Sequence, residues 1–223
     1  MIDKKYLNNF SEFAALWCRS DMENAELALV ADQISANNVP LVSLLPEQVG
    51  VIWPWLENMD VKIMPRFFIQ DKKITEKNIS ELTIQINNVL KRGASGAQVF
   101  LPYKLLADLV EQTYVVRDDL FFDKDLAIGI NLYDVAPLDW SELYQQLRKI
   151  NASSLILVLG TKDAQKNDFV GRIFAMLDLW EQDNKFDLQF VFGGNLYCME
   201  STLRLVQKMR PDLIGRIRFF VNA

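Results

Sequence analysis

The sequence predicts an α/β fold, namely a (β/α)8 TIM barrel that forms a single domain over residues 1–223. Apolar segments alternate with helical patterns and start about 29 residues apart, as repeated strand–helix units do. These segments are apolar throughout, which is typical of parallel strands that are buried on both faces. The alternative is an open, doubly wound sheet. The even spacing, without a clear point at which the strand order reverses, favours the closed barrel.

The boundaries of the elements follow from the apolar periodicity and from Gly, Pro, Asn and Asp at the breaks. Residues 1–12 are predicted to form an N-terminal arm or short helix. Ser20 or Asp21 is the expected N-cap of the first long helix, and Asp139 that of the fifth. Strands are expected to start near residues 13, 39, 61, 97, 126, 154, 187 and 216. Helices are expected at about 23–37, 46–58, 76–92, 104–116, 140–150, 168–183 and 197–209.

A complete barrel of this kind has a helix after every strand, and the sequence shows none after the eighth. The prediction is therefore a barrel that lacks a final eighth helix. The seam between the first and last helices would expose apolar surface. We expect the N-terminal segment or another subunit to cover it, so a homo-oligomer formed through this seam is a predicted assembly.

The overall composition excludes several classes of function. A net charge of −5 and a pI of about 4.9 argue against nucleic acid as a partner. No apolar run reaches the roughly 18 residues of a membrane span, and the polar N-terminus does not resemble a signal peptide. The two cysteines do not form a disulfide framework. We therefore expect a cytoplasmic protein without a membrane partner.

The sequence contains no histidine, so catalysis by Ser-His-Asp or Cys-His arrangements is excluded. The commonest transition-metal ligand is missing for the same reason. We expect no cofactor and no dedicated metal site, although an oxygen-ligated magnesium stays open as an alternative.

Two predicted strands end in glycine immediately before a helix or loop. Leu188-Gln-Phe-Val-Phe-Gly-Gly-Asn195 is the stronger case, and Leu155-Ile-Leu-Val-Leu-Gly-Thr-Lys162 is similar. A glycine turn next to a helix N-terminus favours an anion such as phosphate. The alternative is that the glycines only make tight turns. The predicted phosphate-binding residues are Gly160, Thr161, Gly193, Gly194 and Asn195.

The predicted catalytic residues are Lys162, Asp134 and Asp163, because all three follow strands at the end where barrel enzymes carry out their chemistry. The two aspartates are read as an acid–base or magnesium pair. The alternative is that they cap helices or lie in solvent. Arg66 is interpreted as a solvated rim residue in preference to an anion ligand, and Cys18 as a packed thiol.

Several segments resemble deoxyribose-phosphate aldolase, a class I aldolase on a TIM barrel. They are Val39-Pro-Leu-Val-Ser-Leu-Leu-Pro-Glu-Gln-Val49, Asn58-Met-Asp-Val-Lys-Ile63, Gly93-Ala-Ser-Gly-Ala-Gln-Val99 and Gly193-Gly194. The resemblance implies the barrel and a phosphate-binding Gly-Gly. It does not extend to the chemistry: the family's aspartate on strand four falls at Gln98, and its two lysines fall at about Ile156 and Phe190.

Two functions remain open. The chain is predicted to be an aldolase-like barrel that binds a small phosphorylated or other anionic metabolite, with a possible lyase or isomerase activity. The alternative is a catalytically inactive barrel, a pseudoenzyme that acts through protein–protein contacts.

Overall fold

Eight parallel strands form a closed barrel in which each strand pairs with the next and the eighth pairs with the first. This computed structural model describes residues 11–70, 73–116, 125–160, 163, 166, 168–180 and 185–223. The TIM-barrel prediction is confirmed. The predicted N-terminal arm lies almost entirely outside the described residues. The strands are β1 (Ala14–Trp17), β2 (Leu41–Leu44), β3 (Lys62–Phe68), β4 (Gly96–Phe100), β5 (Asp125–Asn131), β6 (Ser154–Val158), β7 (Asp187–Val191) and β8 (Ile217–Asn222).

Helices connect successive strands, as the alternating pattern predicts. Among the described residues they are α1 (Asn24–Asn37), α2 (Val49–Leu56), α3 (Glu76–Leu90), α4 (Leu106–Val116), α5 (Trp140–Lys149), α6 (Phe169–Asp178) and α7 (Leu196–Met209). The largest error in a predicted strand start is at β2, expected near residue 39. Pro40 has no N–H to donate, although its carbonyl accepts a hydrogen bond from Lys62 N at 2.9 Å, so the regular strand begins at Leu41.

Of the two predicted N-caps, that of α1 is wrong and that of α5 is at the predicted residue. The N-cap of α1 is Glu23, whose backbone N–H donates to the Glu26 carboxylate at 2.9 Å. Asp21 instead accepts a hydrogen bond from Arg19 at 3.2 Å. Asp139 does occupy the N-cap position of α5, but its side chain makes no capping hydrogen bond because the backbone there is already nearly helical, with φ −86° and ψ −5°.

The apolar core has two layers, because successive residues of a strand face opposite sides of the barrel wall. The outer layer lies between strands and helices and includes Phe190, whose ring stacks on Phe219 at 5.4 Å. The inner layer fills the barrel. Its apolar members are Ala15, Leu41, Met64, Phe100, Ala127, Ile156 and Phe220.

In the described part of the chain no helix follows β8. Just after β8, the Ala223 N–H donates a hydrogen bond to the Trp17 carbonyl of β1 at 3.1 Å. The segment expected to cover the adjacent seam belongs to residues 1–10 and is outside the described residues. None of the described helices has both the length and the apolar character needed to cross a membrane.

Candidate functional site

Aromatic rings close the barrel axis at the carboxyl end of the strands, where barrel enzymes usually bind their substrates. The Trp17 ring meets Phe100 edge-on at 5.7 Å and Phe220 at 5.4 Å between ring centroids. Phe68 stacks on the outer side of Phe100 at 5.2 Å and is half exposed. We call Trp17, Phe100 and Phe220 the aromatic plug. It occupies the upper part of the barrel interior.

Gly129 makes room for this plug on the neighbouring strand β5. A Cβ atom added to Gly129 would lie 2.2 Å from the Phe100 ring, far inside van der Waals contact. The ring of Phe100 therefore takes the space that a side chain at position 129 would fill. This pairing of a glycine with a large residue on the adjacent strand is how the interior accommodates three rings.

Arg66 lies inside the barrel next to the plug, with only 3% of its surface exposed. Its guanidinium stacks against the Trp17 ring at 3.9 Å and donates to the Cys18 carbonyl at 2.5 Å. The interpretation of Arg66 as a solvated rim residue is wrong, because its side chain points inward from β3. Among the described residues Arg66 forms no ion pair, and burial lowers the pKa of its guanidinium to about 10.

Ser43 and Gln98 complete a small polar group around Arg66. The Ser43 hydroxyl donates to Gln98 Oε1 at 2.5 Å, and both side chains are fully buried. The Gln98 Nε2 and Arg66 Nε atoms have no hydrogen-bond partner among the described residues. The site that sequence reasoning missed is this inward-facing group. Polar residues within otherwise apolar strands were the available signal.

Cys18 behaves as predicted for a packed thiol. It is fully buried beside Arg66, and burial raises the pKa of its thiol to about 12. A thiol with that pKa is protonated at neutral pH and is a poor nucleophile.

Asp134 follows β5 and is exposed at the rim of a largely apolar mouth pocket of about 390 Å³, outside the aromatic plug. Asn131 lines the same pocket, and its amide Nδ2 donates to Asp163 Oδ2 at 3.2 Å. Asp134 thus shares a pocket lining with Asn131, and Asp163 contacts Asn131 by a hydrogen bond. Among the described residues no group of three or more Asp, Glu or Cys side chains could hold a metal ion.

Asp163 is engaged in an ion pair. Its carboxylate contacts the Lys166 ammonium at 2.6 Å, and the hydrogen bond from Lys166 is the main cause that lowers the pKa of Asp163. Lys166 also lies over the Tyr133 ring at 4.1 Å. A carboxylate held this way stays ionised and is a weak base near neutral pH.

The glycine turn before α7 has the geometry that the sequence predicts. Gly193 and Gly194 have φ values of +57° and +85°, a region that other residues rarely adopt. Asn195 caps the helix by accepting from Cys198 N at 3.2 Å, and its own N–H donates to the Phe192 carbonyl. Leu196 and Tyr197 occupy the first helical positions, whose N–H groups have no acceptor within the helix. Among the described residues nothing lies within 4 Å of a Cβ atom added to Gly193, so the space beside it is open to a ligand.

The other predicted glycine turn has a different environment. A Cβ atom added to Gly160 would lie 2.9 Å from Asp163 Oδ2, so this glycine faces a carboxylate. The space beside Gly160 is therefore taken by the carboxylate of the Asp163–Lys166 ion pair and is not open to an anion. Thr161 and Lys162, two further predicted site residues, are outside the described residues.

No protein-family model and no curated protein sequence matches this chain. Solved structures do match. A putative deoxyribose-phosphate aldolase from Toxoplasma gondii ME49 has a TM-score of 0.69 at 9% identity and covers 99% of this chain and 91% of its own. Deoxyribose-phosphate aldolase from Aeropyrum pernix has a TM-score of 0.67 at 13% identity, covering 98% and 91%. A putative deoxyribose-phosphate aldolase from Coccidioides immitis has a TM-score of 0.68 at 10% identity, covering 96% and 83%.

The fold is an aldolase-like TIM barrel. At these identities the likeness concerns the fold alone. The predicted resemblance to deoxyribose-phosphate aldolase is confirmed at that level.

The aldolase-like barrel places the three positions expected for the family's chemistry in different surroundings. Gln98 and Ile156 face the interior, as expected. Phe190 faces the helices instead, and the inward residues of β7 are Gln189 and Val191. Phe190 therefore lies on the opposite face of β7 from the inward residues, since a shift of one residue moves a side chain to the other face of a strand.

Proposed function

We propose that this aldolase-like barrel binds a small phosphorylated or carboxylated metabolite at the glycine turn of Gly193, Gly194 and Asn195. The observation that carries the proposal is this turn, with two left-handed glycines directly before α7 and open space beside Gly193. The first N–H groups of a helix and its dipole favour an anion. The likeness in fold to deoxyribose-phosphate aldolases supports a phosphorylated ligand.

The proposal does not include the Schiff-base chemistry of class I aldolases. That chemistry needs an amine inside the barrel, and the inward positions compared above carry Gln98, Ile156, Gln189 and Val191. The aromatic plug also fills the adjacent space. A lyase or isomerase step would instead draw its acid or base from Lys162 or Asp134, because Asp163 is paired with Lys166.

The test is a thermal-shift titration with inorganic phosphate and sugar phosphates. We expect the melting temperature of the wild-type protein to rise by several degrees at saturating ligand. Gly193→Asp should abolish the rise by placing a negative charge at the turn. Gly193→Asn is the matched control, because Asn has the same shape and both residues tolerate the left-handed region. Absence of a shift with every anion, or an equal shift in both variants, would refute the proposal.

The second candidate is a non-catalytic barrel that acts through protein contacts. It is favoured by the plug and by the half-exposed Phe68 ring at the barrel mouth. The Aeropyrum pernix aldolase is described as tetrameric, and we propose a homo-oligomer of this chain through the seam beside β8. Light scattering would measure its mass. A lysine adduct trapped by borohydride inside the barrel would overturn the non-catalytic candidate.

A further inference from the structure

A cavity of about 280 Å³ opens at the amino end of the barrel, opposite the aromatic plug. The inward residues that begin the strands build it: Leu41 and Met64 form its apolar floor, while Ser154, Gln189 and Arg218 supply polar groups. Strand register sets these polar groups side by side, because Gln189 pairs with Arg218 across β7 and β8. The remaining lining residues are Pro40, Lys62, Asp125, Ser153, Lys185 and Asp187.

The charges of the cavity do not cancel among the described residues. Lys62 pairs with Asp125 at 2.6 Å, and Arg216 pairs with Asp187 at 3.1 Å, so both carboxylates of the lining are neutralised. Lys185 forms no ion pair in the described part of the chain. Arg218 likewise binds no carboxylate there and donates only to backbone carbonyls, the nearer one being that of Ile217 at 2.6 Å. The cavity therefore carries an excess of positive charge that suits an anion.

Gln189 lines the cavity, and the hydrogen-bonding capacity of its amide is only partly satisfied. Its side chain is 3% exposed, and its Nε2 donates to the Ser154 hydroxyl at 2.9 Å. Its Oε1 has no hydrogen-bond partner in the residues that the structure describes. A buried carbonyl oxygen without a donor costs free energy, which a ligand hydroxyl or amine would recover.

We propose that this amino-end cavity is a binding site for a small organic anion that also carries a hydroxyl or amine group. Arg218 and Lys185 bind the anionic group, and the Gln189 carbonyl accepts a hydrogen bond from the ligand's donor. Leu41 and Met64 contact its carbon skeleton. The volume limits the ligand to a small metabolite. This site is separate from the glycine turn and does not depend on the function proposed for it.

The test is calorimetric titration with glycerol 3-phosphate, which carries both an anion and hydroxyl donors. The full chain with Gly193→Asp is used, so that the glycine turn is blocked. We expect saturable binding of one ligand, with glycerol alone and inorganic phosphate alone binding more weakly. Adding Arg218→Gln should weaken binding about tenfold or more through loss of a charge-assisted hydrogen bond. Adding Gln189→Glu should have a similar effect by charge repulsion.

Arg204→Gln is the matched control for charge removal, since Arg204 is an exposed arginine on α7 whose one ion pair within the described residues is with Glu200, at 4.0 Å. It should leave the affinity unchanged. Because Gln189 is buried, its variant is checked for folding by circular dichroism, and Arg218→Gln decides the question if that variant does not fold. Equal binding in the Arg218→Gln and Arg204→Gln proteins would overturn the proposal, as would binding of glycerol 3-phosphate no tighter than that of glycerol.

Discussion

At the carboxyl end of the barrel three aromatic rings close the axis, whereas at the amino end the axis opens into a cavity lined by charged side chains. Barrel enzymes usually show the reverse, with an open, polar carboxyl end and a closed amino end. This barrel and those of such enzymes nevertheless have the same strands in the same order. The fold therefore has two ends at which a ligand could enter, and the inward side chains determine which end admits one.

The largest expected effect concerns the packing of the plugged end. Gly129→Ala should lower the free energy of unfolding by about 1–3 kcal/mol, because the added methyl overlaps the Phe100 ring. Gly171→Ala is the matched control: none of the described residues lies within 4 Å of the added Cβ, and Gly171 is inside α6. It should stabilise the protein by up to about 1 kcal/mol. Urea denaturation measures both, and equal effects would mean that the plug is loosely packed.

A smaller effect is expected on how the stability of the protein depends on pH, through Cys18 at the same end of the barrel. Burial raises the folded-state pKa of Cys18 from 9.0 to about 12, so the folded protein keeps a proton that the unfolded chain loses. Stability due to this thiol is complete below pH 9 and falls by about 1.4 kcal/mol per pH unit above it. Arg66 acts with the opposite sign, but only from about pH 10 upward, where its lowered folded-state pKa lies.

The measurement is urea denaturation of wild type and Cys18→Ala at pH 8, 9 and 10. We expect the difference in free energy of unfolding between the two proteins to be constant up to pH 9. By pH 10 the wild-type protein should have lost about 1 kcal/mol relative to Cys18→Ala. A difference that stays constant to pH 10 would mean that water reaches the interior beside Arg66.

The smallest effect is expected at the open end. Lys62→Met removes the ion pair with Asp125, in which both side chains are partly exposed, and should cost less than about 1 kcal/mol of stability. Lys77→Met, which removes an exposed helical pair with Glu81, is the control for a surface ion pair. A markedly larger loss of stability in Lys62→Met would show that the charged residues at the amino end stabilise the barrel. The two ends would then differ in their contribution to stability as well as in ligand access.

The fold could be predicted from the sequence because parallel strands buried on both faces appear as apolar runs, and their spacing reports the connecting helices. The same property makes the residues that line the barrel interior hard to identify from the sequence. In strands apolar on both faces, the apolar residues do not show which of them point inward, and isolated polar residues such as Arg66 and Gln98 are the one local signal. The register of the closed barrel assigns these two to the interior and Phe190 to the outside.

The glycine turn before α7 could be predicted because Gly193-Gly194 is a local signal for left-handed backbone. The amino-end cavity could not, since Lys62, Gln189 and Arg218 are far apart in sequence and meet only through the barrel geometry. The N-cap of α1 was assigned to the wrong residue for a local reason. Several polar residues precede that helix, and the chain direction at its entry determines which one is the N-cap.

The pairing of β8 with β1 also bears on how the protein is made. Ala14 is paired with Phe219, so the edge of β1 gains its second neighbour only after about 200 further residues have left the ribosome. Until then an apolar strand edge is open to other nascent chains, a known route to aggregation. Closure of this barrel is therefore a late step in its synthesis, because the first strand and the last strand must pair.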